Sequence, residues 1–361
     1  MDIKEQMLSI KDSIPVFLAR QQSGMKDGYY KYSFSSDIYK KGIIGASSYA
    51  AKIAYTIGMP QESEMVKNIL AALQEAQNER GYIYDNKILA LSIRNNAVRQ
   101  LKEFKCPSLR NEEYKRAESR QCISALMMYG KIPLYLPVKE VIDNNEMASY
   151  LEKFNWRMPW AAGSHFSHMM FFQKVALAKQ YISREQYDVN ISSALEWISR
   201  LQNKETGSWH LGEVTSQQAI NGAMKVLTGF NAVNINPVTT DMGRKLVDLC
   251  LDNINNEQAC DNFNIIYVMK YASQKCRGYR QDEIIDFAEK RFRIYLDYYF
   301  PREGGFSFYK NRSNDMYYGC KVALGKNEPD IHGTTLFMWG IAIIASLLGI
   351  DKDLGLREFS T

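Results

Sequence analysis

The 361-residue sequence predicts an all-α chain that closes six helical hairpins into an (α/α)6 toroid, a double ring of six inner and six outer helices. Two observations carry this. Apolar residues recur at i, i+3, i+4 and i+7 in segment after segment, the spacing of one helix face, while β-branched alternation is almost absent. The helices also come in two kinds that alternate six times. One kind is amphipathic, near 3–20, 62–76, 142–153, 184–202, 240–255 and 281–298, and such a helix keeps its charged face in water. The other is apolar nearly all round and rich in Ala, Gly, Met and Phe, near 43–57, 120–130, 164–180, 215–229, 261–273 and 332–348, and is covered on both sides. A ring of buried helices inside a ring of half-exposed ones fits this alternation. A plain bundle has no use for six all-apolar helices, and the uneven spacing of the inner-helix starts makes a solenoid the runner-up. A further helix near 87–104 decorates the second hairpin.

Composition excludes several classes. With 46% hydrophobic and 24% charged residues the chain is ordinary for a globular protein. No tract resembles a linker or a low-complexity run, so residues 1–361 read as a single domain. Against 40 Asp and Glu stand 45 Lys and Arg, a net charge of +5. That charge is scattered, which predicts no nucleic-acid partner and remains compatible with a negatively charged small substrate. Met1 to Gln6 shows no basic region followed by an apolar core, so no secretory signal is expected. Thr334 to Ile350 is apolar but starts on polar residues between glycines, and reads as a buried helix rather than a membrane span. The expected location is the cytoplasm, without stable membrane insertion. Six cysteines with no CxxC pair read as reduced, mostly packed thiols.

Three connections from outer to inner helices share a pattern: Gln77 to Tyr84 around Gly81, Gln202 to Trp209 around Gly207, and Phe300 to Phe308 around Gly304 and Gly305. In each, a helix ends, a glycine admits the positive φ of the turn, and an aromatic packs back on the neighbouring helix. The glutamine can bond the turn backbone. This pattern resembles the QW-type repeat of terpenoid cyclases and protein prenyltransferases. Ala194 to Trp209 is the nearest copy, with one extra residue between Gln and Gly; the first copy has Tyr for Trp and the third lacks the Gln. The resemblance implies the toroid. Its catalytic signatures are incomplete. Where a class II cyclase carries D-x-D-D-T, this chain has Asp330-Ile331-His332-Gly333-Thr334. The Asp-rich magnesium motif of class I synthases is absent. Cys260, Asp261 and His332 only loosely echo the zinc ligands of prenyltransferases. No cofactor is therefore expected, with Mg and Zn left open.

In a toroid, one mouth of the cavity is ringed by inner-helix starts, whose free N–H groups favour anions. The chain has only four histidines, and His165, His168 and His332 sit near two such starts, while His210 follows the Trp209 turn. His332, Asp330 and His165 are the candidate catalytic residues, with imidazole as the acid or base near neutral pH. Asp330 either orients His332 or is simply the helix N-cap. In Trp156 to His168, Arg157 can grip a carboxylate or phosphate. Trp156 and Trp160 can stack on a sugar or shield a cation, and His168 shares a face with His165; the alternative is a hydrophobic staple with a surface arginine. Arg120, Gln217, Gln218, Asn221, Asp261 and Asn262 complete the candidate rim, either contacting substrate or solvating the wall, and Asp37 can reach the same mouth. No metal ligands are assigned.

Three functions follow. An isoprenoid-handling cyclase or transferase, working by acid–base chemistry on a substrate that can be a diphosphate, is suggested by the QW-like turns. An intracellular carbohydrate-active toroid, lyase, hydrolase or epimerase on an acidic sugar or glycan, is suggested by the Trp, Arg and His segment and the amide-rich rim. A non-enzymatic binding scaffold would fill its cavity and bury the histidines in capping bonds. The expected ligand is a small isoprenoid or sugar.

Overall fold

In a computed structural model, residues 2–36 and 42–361 are described. Asp37 lies outside the described residues. The chain is predominantly α-helical, and the two helix kinds appear where the periodicity places them. The outer type comprises α1 (Ile3–Gln21), α3 (Glu64–Glu75), α6 (Asn144–Glu152), α8 (Arg184–Ser199), α10 (Thr240–Leu251) and α12 (Gln281–Leu296). The inner type comprises α2 (Ile44–Thr56), α5 (Glu112–Met128), α7 (Pro159–Ala178), α9 (Ser216–Ala232), α11 (Ala259–Ser273) and α13 (Ile331–Leu347). In α2 every residue but Tyr55 is buried, whereas α3 buries only Val66, Ile69, Leu70, Ala72 and Leu73, a single stripe. The decorating helix is α4 (Asn86–Lys102), and α14 (Asp351–Leu354) is a single turn.

Two inner helices begin earlier than the sequence suggests. Helix α5 starts at Glu112, where Asn111 caps the Tyr114 amide at 3.0 Å, and its first turns are polar outside but bury Tyr114 and Ala117. Helix α7 starts at Pro159, a residue preorganised for the first helical position. Arg120, His165 and His168 therefore stand about two to three turns inside their helices, not at the starts.

Packing resolves two compact units, each drawing on separate stretches of chain. The first contains α1–α5, the segment 296–339 and residues 354–359. In it α2 packs on α3 and α5. Two small antiparallel pairs join it: β1 (Tyr299–Phe300) with β2 (Gly305–Phe306), and β3 (Met316–Tyr317) with β4 (Cys320–Lys321). The second unit spans 136–295, 340–353 and 360–361. There α7, α9 and α11 pack in succession, and glycines bring them close: a Cβ at Gly222 would stand 2.5 Å from Pro159 Cβ, and one at Gly229 3.0 Å from Ser167 Cα. The Ala- and Gly-rich composition of the inner helices follows from this close approach.

The repeated turns form as their chemistry requires. Gly81, Gly207 and Gly304 have φ of 86°, 72° and 76°. Gln77 pairs with Ile83, Gln202 with Trp209, and Tyr299 with Phe306, each closing the turn by antiparallel bridging. Gln77 Nε2 donates to the Gly81 carbonyl at 2.8 Å, and Trp209 is buried against Phe230. A fourth copy escaped the sequence reading. After α1, Gln22 bridges Tyr30 across Gly28, whose φ is 73°. Gly28→Ala is expected to lose about 2–3 kcal/mol in chemical denaturation, because its Cβ would overlap the Asn68 carbonyl. Gly130→Ala, at φ 70° with open space around it, should lose only the conformational part, about 1 kcal/mol. Equal losses at both sites would show that the close approach is unimportant.

Candidate functional site

Within the first unit, a chain of hydrogen bonds runs from the start of α13 to the ring of His332. Asp330 precedes the helix, fully buried. Its Oδ1 accepts the Gly333 amide at 2.8 Å, and its Oδ2 accepts the amides of Phe308 at 2.7 Å and Asn314 at 3.0 Å. Burial pushes this carboxyl up, while the backbone donors pull it down. Asn314, so held, accepts the Met316 amide on Oδ1 and donates Nδ2 to the Tyr32 hydroxyl at 2.9 Å. Tyr32 Oη lies 3.1 Å from His332 Nδ1. The His332 ring stacks on Tyr49 with centroids 4.9 Å apart and planes 13° apart, and Phe308 flanks it at 4.9 Å. Tyr32 is 1% exposed, whereas His332 is half-buried and so keeps contact with solvent.

These positions correct one expectation. Asp330 does not orient His332 directly, since its oxygens are bonded to backbone amides. It caps α13 and holds the Asn314 amide, and the hydrogen-bonded path from it to the imidazole runs through Asn314 and Tyr32.

Beside this chain lies a second polar group. Tyr317 sits 5.4 Å from Tyr32, ring to ring, and its hydroxyl donates to Glu118 Oε2. Gly45 makes room for the pair; any Cβ there would overlap both Glu118 Oε1 and Tyr317 Oη. Burial pushes the Glu118 carboxyl up to about 8, against the pull of the Tyr317 hydrogen bond and of Lys52. Burial, then the charge of Arg120, brings Lys52 down to about 7, and its ammonium donates to Gln121 Oε1. Both groups thus lean toward their neutral forms.

The sign of each shift sets a pH dependence. The folded state keeps the Glu118 proton between the usual 4.5 and about 8, where the unfolded chain has lost it, so this group's stabilisation falls as pH rises through that window. For Lys52 the unfolded chain holds the extra proton between about 7 and 10.5, so stability rises with pH across that range. Together they place a minimum near neutrality. Glu118→Gln should flatten the acid limb of a stability–pH curve and Lys52→Met the alkaline limb; unchanged limbs would contradict these protonation states.

The remaining sequence candidates fall elsewhere. Arg120 is buried in the first unit, where its charge acts on Lys52 and Tyr318. The others belong to the second unit. Trp156 is buried, its Nε1 donating to the Leu151 carbonyl at 3.0 Å and its ring against Trp197, which corrects its assignment as a sugar platform. Trp160 is exposed with Lys225 over its ring, and Arg157 is exposed. His165 stacks on Phe154 at 3.8 Å, and His168 is buried. His210 holds its own loop, Nδ1 lying 3.0 Å from the Gly212 carbonyl. Gln218 closes a capping box with Thr215, and Gln217 sits beside it in the first turn of α9. Asn262, in the first turn of α11, donates to the Asn256 and Gln258 carbonyls, while Gln258 caps the helix by accepting the Cys260 amide at 3.1 Å. Asn221 donates to Asp261 Oδ1 at 3.0 Å and accepts from Asn255 and Asn264. Among the described residues, no three His, Cys, Asp or Glu side chains gather as a metal site, and no helix is long and apolar enough to cross a membrane.

Sequence reasoning missed Tyr32, Tyr49, Asn314, Tyr317, Glu118 and Lys52. Of these only Lys52 had a usable signal, as the one charge in an otherwise uncharged helix; Glu118 stands among the other charges of α5.

No protein-family model matches the chain, and no curated protein does. Among solved structures, one described as a polysaccharide lyase superposes with a TM-score of 0.51 over 97% of this chain and 99% of that one, at 10% identity. The likeness is one of fold, and with the alternating helices it gives the class as an all-α, α/α-toroid.

Proposed function

We propose that this chain is a carbohydrate-active enzyme that cleaves an acidic polysaccharide or oligosaccharide by β-elimination, with His332 moving the proton. The observation that carries this is the fixed imidazole, held at Nδ1 by Tyr32, held across its face by Tyr49, and still open to solvent. In the tautomer that carries its hydrogen on Nδ1, toward the Tyr32 oxygen, Nε2 bears the lone pair. A uronate offers an acidic C–H beside its carboxylate. Nε2 takes that proton, the electron pair forms a C=C bond, and the C–O bond to the next sugar breaks. The imidazolium returns the proton to the departing oxygen, so one double bond forms, one C–O bond breaks, and no water is consumed. Arg120 adds positive potential to the cluster, which suits the charge building on the substrate carboxylate.

The fold likeness to a lyase supports this reading over an isoprenoid one, as does the chemistry of the cluster. Phenols, an amide and an imidazole solvate a sugar better than a hydrocarbon chain. Hydrolysis needs two carboxylates facing one bond, and here Asp330 serves backbone amides while Glu118 serves Tyr317. The reading keeps the expectation of a cytoplasmic enzyme working on a glycan inside the cell. Incubation of the protein with a panel of uronate-containing polysaccharides should produce the ultraviolet absorbance of an unsaturated carboxylate together with new reducing ends. New reducing ends without that absorbance would mean hydrolysis, and neither signal on any acidic glycan would overturn the proposal.

A further inference from the structure

The end of α4 and the loop after it expose what a folded surface normally covers. Residues 101–110 are all exposed, among them Leu101 at 58%, Leu109 at 78% and Phe104 at 100%. Val98, one turn before Leu101, is also exposed. Arg94, Arg99, Lys102, Lys105 and Arg110 surround them, and the one acidic side chain in the stretch, Glu103, is paired with Lys105 at 2.8 Å. Arg99, Lys102 and Arg110 form no ion pair among the described residues. The segment is nonetheless ordered. Gln100 Oε1 accepts the Ser108 amide at 2.7 Å, Asn111 Nδ2 donates to Ser92 Oγ at 2.9 Å, and Asn95 Nδ2 donates to the Gly319 carbonyl at 2.9 Å. Phe104 has φ of 58°, a left-handed backbone that turns the chain at the helix end.

We infer that this tip docks the protein on an anionic lipid surface. Charge complementarity selects the partner. Bare Leu and Phe side chains ringed by Lys and Arg match the interface of a bilayer with acidic headgroups, where apolar burial and electrostatic attraction add. A second copy of the chain fits poorly, because a two-fold contact would set this basic patch against itself. An anionic polysaccharide would satisfy the arginines and lysines but leave Phe104 and Leu109 in water. Docking of this kind lies in the plane of the interface and requires no membrane-spanning helix. It is also independent of the reaction proposed for His332.

Co-sedimentation of the full chain with vesicles tests it, using phosphatidylcholine alone and phosphatidylcholine with phosphatidylserine at about three to one. The protein should pellet with the mixed vesicles and stay in solution with the neutral ones, and raised salt should weaken binding. The double variants F104S/L109S and R99E/K102E should each bind at least about tenfold less, with unchanged melting temperature, since these side chains are exposed. Equal binding to neutral vesicles, no binding to either, or variants that bind like the wild type would overturn the proposal. A solution dimer that F104S/L109S dissociates would overturn it in favour of self-association.

Discussion

His332→Ala is expected to lower the rate of double-bond formation by about 10²- to 10⁴-fold, the usual worth of a positioned acid–base group, with little change in thermal stability. The ring is only half-buried and lies within hydrogen-bond distance of the Tyr32 hydroxyl, which Asn314 still holds once the ring is removed. The partner variants separate direct from indirect roles. Tyr32→Phe keeps the buried ring but releases Nδ1, so it should reduce kcat less, about 10- to 10²-fold, and shift the pH–rate profile, because the imidazole loses the group that fixes its tautomer. Asn314→Ala should behave like a weaker Tyr32→Phe. These are measured as initial rates against pH on whichever acidic glycan proves to be the substrate. Full activity in His332→Ala would place the chemistry elsewhere in the chain, and an unshifted profile in Tyr32→Phe would reduce that residue to packing.

Asp330→Ala should be the most damaging single change to stability. The carboxylate gathers the amides of Gly333, Phe308 and Asn314 in a fully buried place, and alanine leaves all three without an acceptor. At about 1–3 kcal/mol for each stranded group, partly relieved by relaxation, the loss should be about 3–6 kcal/mol. Asp330→Asn keeps an oxygen that accepts two bonds and should recover roughly half of it. Chemical denaturation of the three proteins decides this. A loss within about 1 kcal/mol for alanine would mean that water replaces the carboxylate and that the network is not structural. Because Asn314 and Tyr32 hang from the same residue, Asp330→Asn should also lower activity, and in proportion to stability.

How much of this was legible beforehand depended on the range of the interaction. The alternation of helix types was legible because burial imposes it on every residue of a helix, as all-buried α2 beside single-striped α3 shows. The turns were legible through their glycines, except the Gly28 copy, where the stretch from Gln22 to Tyr30 is one residue longer than that from Gln202 to Trp209 and carries a second glycine, Gly24. The start of α5 was blurred because a polar first turn at Glu112 masks a buried face, which displaced Arg120; α7 starts at Pro159, a residue that reads as a helix breaker in the interior but suits the first position, which displaced His165. His332 was found because histidine is rare here. Its partners were not, because tyrosines are many and nothing local distinguishes Tyr32 or Tyr49 from the rest. Trp156 misled for the opposite reason: tryptophan draws attention, yet its indole is consumed by a carbonyl five residues away.

The pairing of Tyr32 with His332 joins residues 300 apart in the chain, and Ser33 bridges Asp330 just beside them. Contacts of such sequence separation form late, after the local hairpins have closed, because the intervening chain must first be compacted. During synthesis the segment around Tyr32 must therefore wait until α13 has been made. A nascent or truncated product lacking α13 would carry Tyr32, Tyr49, Glu118 and Lys52 but no imidazole to organise, so competence arrives in one step with the last inner helix. Recovery of activity on refolding should accordingly lag behind recovery of helical circular dichroism, and the delay times the docking of the start of α13 on the segment around Tyr32.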